Sequence, residues 1–207
     1  MILMEKESKR ENIRKKIKEI KPYRCRYVIA VIENPKDIRN IGTIIRNVNA
    51  LGVEKTYIID PKHKLPNDWQ KMREKGPLSG SSVSAIKWSF VKRFDSTEDC
   101  IDHLKKNRYT SVVTSPHIKG NKNVILHEAD FTTYSKLAVW FGNESKGISD
   151  LAVKHSDLCV NLPMFGMVES LNLGTSSGIV LYEVTKQRRT YQRKYKYRNK
   201  RGRKYIA

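Results

Sequence analysis

Three short segments hold residues whose types and spacing could do chemistry. The first runs Glu33-Asn34-Pro35-Lys36-Asp37-Ile38-Arg39-Asn40, reaches Arg46 six residues later, and is followed by Asn49-Ala50-Leu51-Gly52. The second is Gly142-Asn143-Glu144-Ser145-Lys146-Gly147, a carboxylate bracketed by glycines that let a backbone approach a ligand closely. The third is Leu162-Pro163-Met164-Phe165-Gly166-Met167-Val168-Glu169-Ser170-Leu171-Asn172. Each follows an apolar run. At such strand-to-helix junctions, free backbone N–H and C=O groups bind small polar ligands. Taken singly, each has an ordinary explanation: Asn40 as a helix cap, Arg46 as a surface arginine, Ser170 and Asn172 as a cap and a turn residue, Met164, Phe165 and Met167 as core fillers. Three loops that each follow a strand of one sheet should meet along one edge of it.

The elements that must position these loops are legible as patterns. Residues 26–32 (Arg-Tyr-Val-Ile-Ala-Val-Ile) are nearly all apolar and rich in β-branched types, as buried parallel strands are. Ile41, Ile44, Ile45, Val48 and Leu51 recur at helical spacing and stop at Gly52, and 56–59 read as the next strand. Strand, helix, strand is a parallel crossover. Further strands are expected at 89–94, 110–114, 137–141 and 158–162, with helices at 96–107 (Ser96 as cap), 151–155 and 170–189. Residues 6–21 form an amphipathic helix that Pro22 ends, and 61–83 read as a functional loop or a mobile segment. The class is α/β, a mostly parallel sheet with helices on both faces.

The 207 residues carry a formal charge of +20, from 41 Lys+Arg against 21 Asp+Glu. Most of the excess sits at the ends: residues 186–207 hold 11 basic and no acidic residues, and 1–21 hold 8 basic and 4 acidic. That distribution implies a polyanionic partner, with nucleic acid the usual one. Tyr191, Tyr195, Tyr197 and Tyr205 interleave with the cations of the tail, which is either a solvated extension or a capture element for RNA. No apolar run is long enough to span a bilayer. Cys25, Cys100 and Cys159 form no Cys-x-x-Cys pair, and His63, His103, His117, His127 and His155 show no ligand spacing. A metal site is therefore not expected. Buried thiols in a reducing cytoplasm are.

In order along the chain, Asn40-x5-Arg46 with Ala50-x-Gly52, Gly142-x-Glu144-x-x-Gly147 and Pro163-Met164-x-Gly166-x-x-x-Ser170-Leu171-Asn172 resemble the motifs of the SpoU/TrmH branch of the SPOUT RNA methyltransferases. The resemblance spans 27–189, with a gap at 61–83; the third motif looks most like the tRNA guanosine-2′-O-methyltransferases. One departure is Leu173-Gly174-Thr175-Ser176-Ser177-Gly178, where Val-Ser-Val-Ala is more usual. The resemblance implies a domain at 23–189 with a deep trefoil knot at about 137–182, a basic helical extension at 1–22 and a basic tail at 190–207. It also implies a homodimer and S-adenosylmethionine as methyl donor. Thr114, Gly142, Glu144, Gly147, Leu162, Met164 and Leu171 would form the cofactor pocket. A ribose 2′-hydroxyl of RNA would be the acceptor, with tRNA favoured and rRNA its rival; a non-catalytic RNA binder that keeps the fold is the competing class. Arg46 would be central, with Asn40, Ser170 and Asn172 orienting it and the ribose, and Glu144 either holding Asn40 or Arg46 or offsetting the sulfonium charge. A guanidinium keeps its proton throughout the physiological pH range, so Arg46 is expected to grip the target phosphate as a bidentate fork. Arg39, Arg46, Arg188, Arg189, Arg193 and Lys194 are the expected RNA contacts.

Overall fold

The computed structural model describes residues 2–63, 85–120 and 122–200, so most of the 61–83 loop lies outside the described residues. Helix α1 (Ile2–Ile20) leads through a 3-10 turn (Lys21–Tyr23) into β1 (Cys25–Glu33), α2 (Ile38–Ala50) and β2 (Val53–Ile59). Then come β3 (Phe90–Phe94), α3 (Thr97–Lys106), β4 (Thr110–Ser115), β5 (Asn123–Ile125), β6 (Leu137–Phe141), α4 (Asp150–Lys154), β7 (Leu158–Asn161) and α5 (Leu173–Lys200). The seven strands form one sheet in the order β3-β2-β1-β6-β4-β7-β5, and every pairing is parallel.

The period-2 alternation of β1 sorts its side chains onto two cores. Val28, Ala30 and Ile32 join Ile41, Ile44, Ile45 and Val48 of α2 and Val180, Leu181 and Val184 of α5 on one face. Ile29 and Val31 join Cys100, Ile101 and Leu104 of α3 and Ala152 of α4 on the other. Helices cover both faces, as a fully parallel sheet requires. All three cysteines are buried.

Helix starts differ instructively from expectation. Asp37, not Asn40, caps α2, accepting from the Arg39 N–H, and this leaves the Asn40 side chain free for other bonds. Ser96 caps α3 as expected. Asn172 caps α5 through the N–H groups of Gly174 and Thr175, so that helix begins at Leu173 and not at Ser170. It then runs past Arg189 to Lys200. Gly52 ends the α2 segment at φ +72°, the left-handed role a C′ glycine plays. Strand β5 had no periodic signature, being three residues long.

Candidate active site

Because the sheet is parallel, the segments that follow β1, β6 and β7 all leave from its carboxyl edge. β1 and β6 are neighbours there: Ile32 pairs with Phe141. The loop after β6 is closed on itself, with Asn143 and Gly147 exchanging backbone bonds at 2.9 and 2.8 Å. Its side chain completes the turn, since Asn143 Oδ1 accepts from the N–H groups of Ser145 and Lys146. Asn143 Nδ2 meanwhile donates to the Asn34 carbonyl, tying the second segment to the first. Asn143 was not singled out from sequence, although an asparagine opening a glycine-bracketed turn is a recognisable signal.

Glu144 then reaches across to the first segment. Its carboxylate accepts from the Lys36 N–H at 2.8 Å, the Asp37 N–H at 3.1 Å and Asn40 Nδ2 at 2.9 Å. Burial alone would raise its pKa. The bonds from Asn40 and from backbone N–H groups outweigh that, and the carboxyl is held below its ordinary value. Asn40 in turn accepts from Asn172 Nδ2 at 3.0 Å. The three segments are thus joined hand to hand, Glu144 to Asn40 to Asn172. Of the roles left open for Glu144, holding Asn40 is the one this geometry supplies.

Beside this chain lies a cavity of about 450 Å³, within the size range of small-molecule sites. Thr114, Glu144, Gly147, Leu162, Met164 and Leu171 all line it, together with Ser170 and Asn172. Its lining combines apolar side chains (Val160, Leu162, Met164, Leu171, Val180) with polar residues (Thr114, Glu144, Ser170). Residues 162–170 form no helix, strand or hydrogen-bonded turn, so their peptide groups are placed to bind a ligand. Gly147, at φ +68°, has nothing within 4 Å of where a Cβ would stand, which leaves its backbone open. An adenosyl group with a polar amino-acid end suits such a lining. Gly142 plays a different part from the one expected. It is buried, and a Cβ there would meet Ile148 N at 2.2 Å and Gly147 C at 2.3 Å, so this glycine lets the loop fold back on itself and does not line the cavity.

Arg46 is exposed on α2 and is not among the residues lining the cavity. It stands between Thr43, which lies against Gly174, and Asn47, which donates to the Gly174 carbonyl at 2.8 Å; its helix position therefore flanks the start of α5. Arg39, seven residues before it and so on the same helical stripe, has an 81% exposed side chain that is forked onto the Asp37 carboxylate.

Two residues expected to touch RNA are used inside the fold. Arg188 is 7% exposed, and its guanidinium donates to the carbonyls of Phe131, Tyr134 and Ser135, clamping the turn before β6. Burial lowers its pKa. Arg188 is therefore not an RNA contact: its fork is consumed by three carbonyls away from solvent. Arg188→Gln should cost roughly 2–4 kcal/mol, because charge-assisted bonds are lost from a buried site. Thermal melting should fall by about 5–15 °C, with RNA affinity unchanged within about twofold. A large loss of RNA affinity with unchanged melting would restore the original expectation. Arg189, half-buried, donates to the Leu51 carbonyl at 2.9 Å and helps close the end of α2. The side chains of Arg193 and Lys194 lie outside the described residues.

The arrangement has known counterparts. The profile of the SpoU rRNA methylase family matches residues 27–182. The chain belongs to this family. As a SpoU-family protein it is an S-adenosylmethionine-dependent RNA methyltransferase. It is 29% identical over 174 residues to the tRNA (guanosine(18)-2′-O)-methyltransferase of Aquifex aeolicus, covering 84% of this chain and 76% of that one. The Thermus thermophilus enzyme of the same name is 26% identical, with 84% and 82% covered. Among solved structures, the A. aeolicus TrmH/SpoU tRNA modifying enzyme superposes with a TM-score of 0.67 at 23% identity, covering 90% of this chain and 97% of that one. The SpoU methyltransferase AviRb from Streptomyces viridochromogenes, in complex with AdoMet, gives 0.66 at 26% identity, covering 79% and 61%. Among the described residues no cluster of three His, Cys, Asp or Glu could hold a metal, and no helix is long and apolar enough to cross a membrane.

Proposed function

We propose that this SpoU-family chain methylates a ribose 2′-hydroxyl of structured RNA, with tRNA as the substrate class. The observation that carries this reading is the Glu144–Asn40–Asn172 chain beside the cavity, which brings all three motif segments to one place. When bound, S-adenosylmethionine supplies an electrophilic methyl group. Thr114, Glu144, Gly147, Leu162, Met164 and Leu171 would hold it, and Gly142 and Asn143 keep their loop in shape. Arg46 grips the phosphate next to the target ribose, on the outer side of the helix whose Asn40 is pinned to the pocket. Ser170, exposed at the cavity wall, orients the ribose. A guanidinium is no base at neutral pH, so the hydroxyl proton leaves to the phosphate or to water.

Phe165 and Met167 are 95% and 101% exposed, and Val168, Ile179 and Tyr182 are exposed near them in the same segments. An apolar surface of this kind supports a homodimer built on the third motif and α5. The knot at 137–182 and a cytoplasmic setting complete the proposal. The names of the relatives favour tRNA; the family's description favours rRNA.

The test uses methyl-labelled S-adenosylmethionine with tRNA and rRNA, each purified from cells lacking the protein. Label should enter tRNA and map to a 2′-O-methylated nucleotide. Label in rRNA alone would reassign the substrate. No label in either, with no cofactor binding by calorimetry, would favour a binding protein that keeps the fold.

A further inference from the structure

The amino edge of the sheet, opposite the pocket, carries an unusual residue. Tyr27 adopts φ +67° in β1, where the register with β2 slips between Cys25 and Ile29. A bulky side chain rarely accepts the left-handed region, and a bulge re-aims the residue it contains. Here Arg26 and Tyr27 are both exposed, Tyr27 at 49%. The backbone is fixed in this state by the Tyr27 N–H, which donates to Glu54 Oε2 at 2.7 Å.

The ring does not stand alone. Lys136 Nζ lies 5.8 Å from the Tyr27 ring centroid and 5.5 Å from that of Tyr109. On the next strands, Lys55 Nζ lies 5.7 Å from the ring of Phe90, which is 56% exposed. Tyr109 shares the surroundings: burial, then Glu54, Tyr57 and Tyr27, push its pKa up to about 12, so it stays an uncharged ring. Arg26 and Arg108 are exposed beside this row, and Glu54, paired with Lys55 at 3.3 Å, is the acidic group in it. α1 enters the domain at this edge through Lys21–Tyr23. α5 leaves there, its Thr185 carbonyl meeting Cys25 and Arg189 meeting Leu51, and its basic end runs on to Lys200.

We propose that Tyr27, with Lys136, is a stacking site for an unpaired base of the substrate RNA, on the face opposite the methyl-transfer pocket. Exposed rings flanked by cations are what single-stranded nucleic acid binds: the ring stacks on any base and the lysine meets the backbone. Nine residues of β1 span roughly 30 Å, which a folded RNA arm bridges, so one RNA reaches both edges. This rests on the RNA-methyltransferase reading and adds a second footprint to it.

Tyr27→Gly separates ring from backbone, because glycine takes φ > 0 freely. The variant should melt at or above the wild-type temperature and bind S-adenosylmethionine unchanged. Its tRNA dissociation constant, measured by filter binding in 0.1 M salt, should rise about fivefold or more. Tyr27→Phe should bind as wild type, and Lys136→Ala should weaken binding and reduce the salt slope. Tyr27→Gly binding within twofold of wild type overturns the site; if the variant's oligomeric mass also changes, the surface serves a protein contact instead. Wild-type protein that binds no RNA would overturn both this site and the reading beneath it.

Discussion

Gly142→Ala protein should bind S-adenosylmethionine at least about tenfold more weakly than wild type and melt about 6–12 °C lower. The added Cβ would stand 2.2 Å from Ile148 N, 2.3 Å from Gly147 C and 2.6 Å from Gly147 O, all of them backbone atoms. No side-chain rotation relieves such a clash. The loop must open, and the paired bonds of 2.9 and 2.8 Å between Asn143 and Gly147 oppose that. Overpacking of this kind costs up to about 3 kcal/mol, which at this chain length gives the melting shift stated. The cofactor effect follows because Glu144 and Gly147 line the cavity from that same loop. Gly166→Ala is the control, since a Cβ there meets nothing within 4 Å. A Gly142→Ala enzyme with wild-type cofactor affinity would show that the loop's shape does not govern the pocket.

Arg46→Lys should lower turnover at saturating RNA by about 100-fold or more while leaving S-adenosylmethionine affinity intact. Lysine keeps the charge and loses the planar fork that holds a phosphate at two oxygens. A misplacement of about 1 Å at the reacting atoms is enough for a rate loss of this size. Cofactor affinity should not move, because Arg46 is not among the residues lining the cavity. Near-wild-type turnover by the lysine variant would remove the fork from the mechanism.

Both predictions depend on what could be read before any coordinates. The β1–α2–β2 crossover was plain because continuous β-branched runs and a 3.6-residue period are strong signals. The three loops were legible as separate junctions, and parallel strands forced them to one edge. How they join was not. The bond from Asn172 to Asn40 crosses 132 positions, and no local pattern encodes it. The cap of α2 was misplaced because Asp37 and Asn40 are both good caps, and the choice was made by Glu144, more than 100 residues away. Arg188 was misread for a related reason. Within a basic helix end its identity signals RNA, whereas the carbonyls of Phe131, Tyr134 and Ser135 that consume it are invisible from sequence. Glu33 gives no local sign of its role in the sequence. It is buried, accepting from Thr97 Oγ1 and from Ser149, so it braces α3 and α4 against the end of β1.

The sheet order also shapes how the chain is made. β1 is flanked by β2 and β6, and the second of these begins roughly a hundred residues downstream. At synthesis rates of about 5–20 residues per second, that interval is on the order of 5–20 s. For that time one margin of β1 has no partner on a nascent polypeptide, an open template for another chain emerging nearby. Ribosome-associated chaperones would find their natural client window there, between the first crossover and the arrival of Leu137.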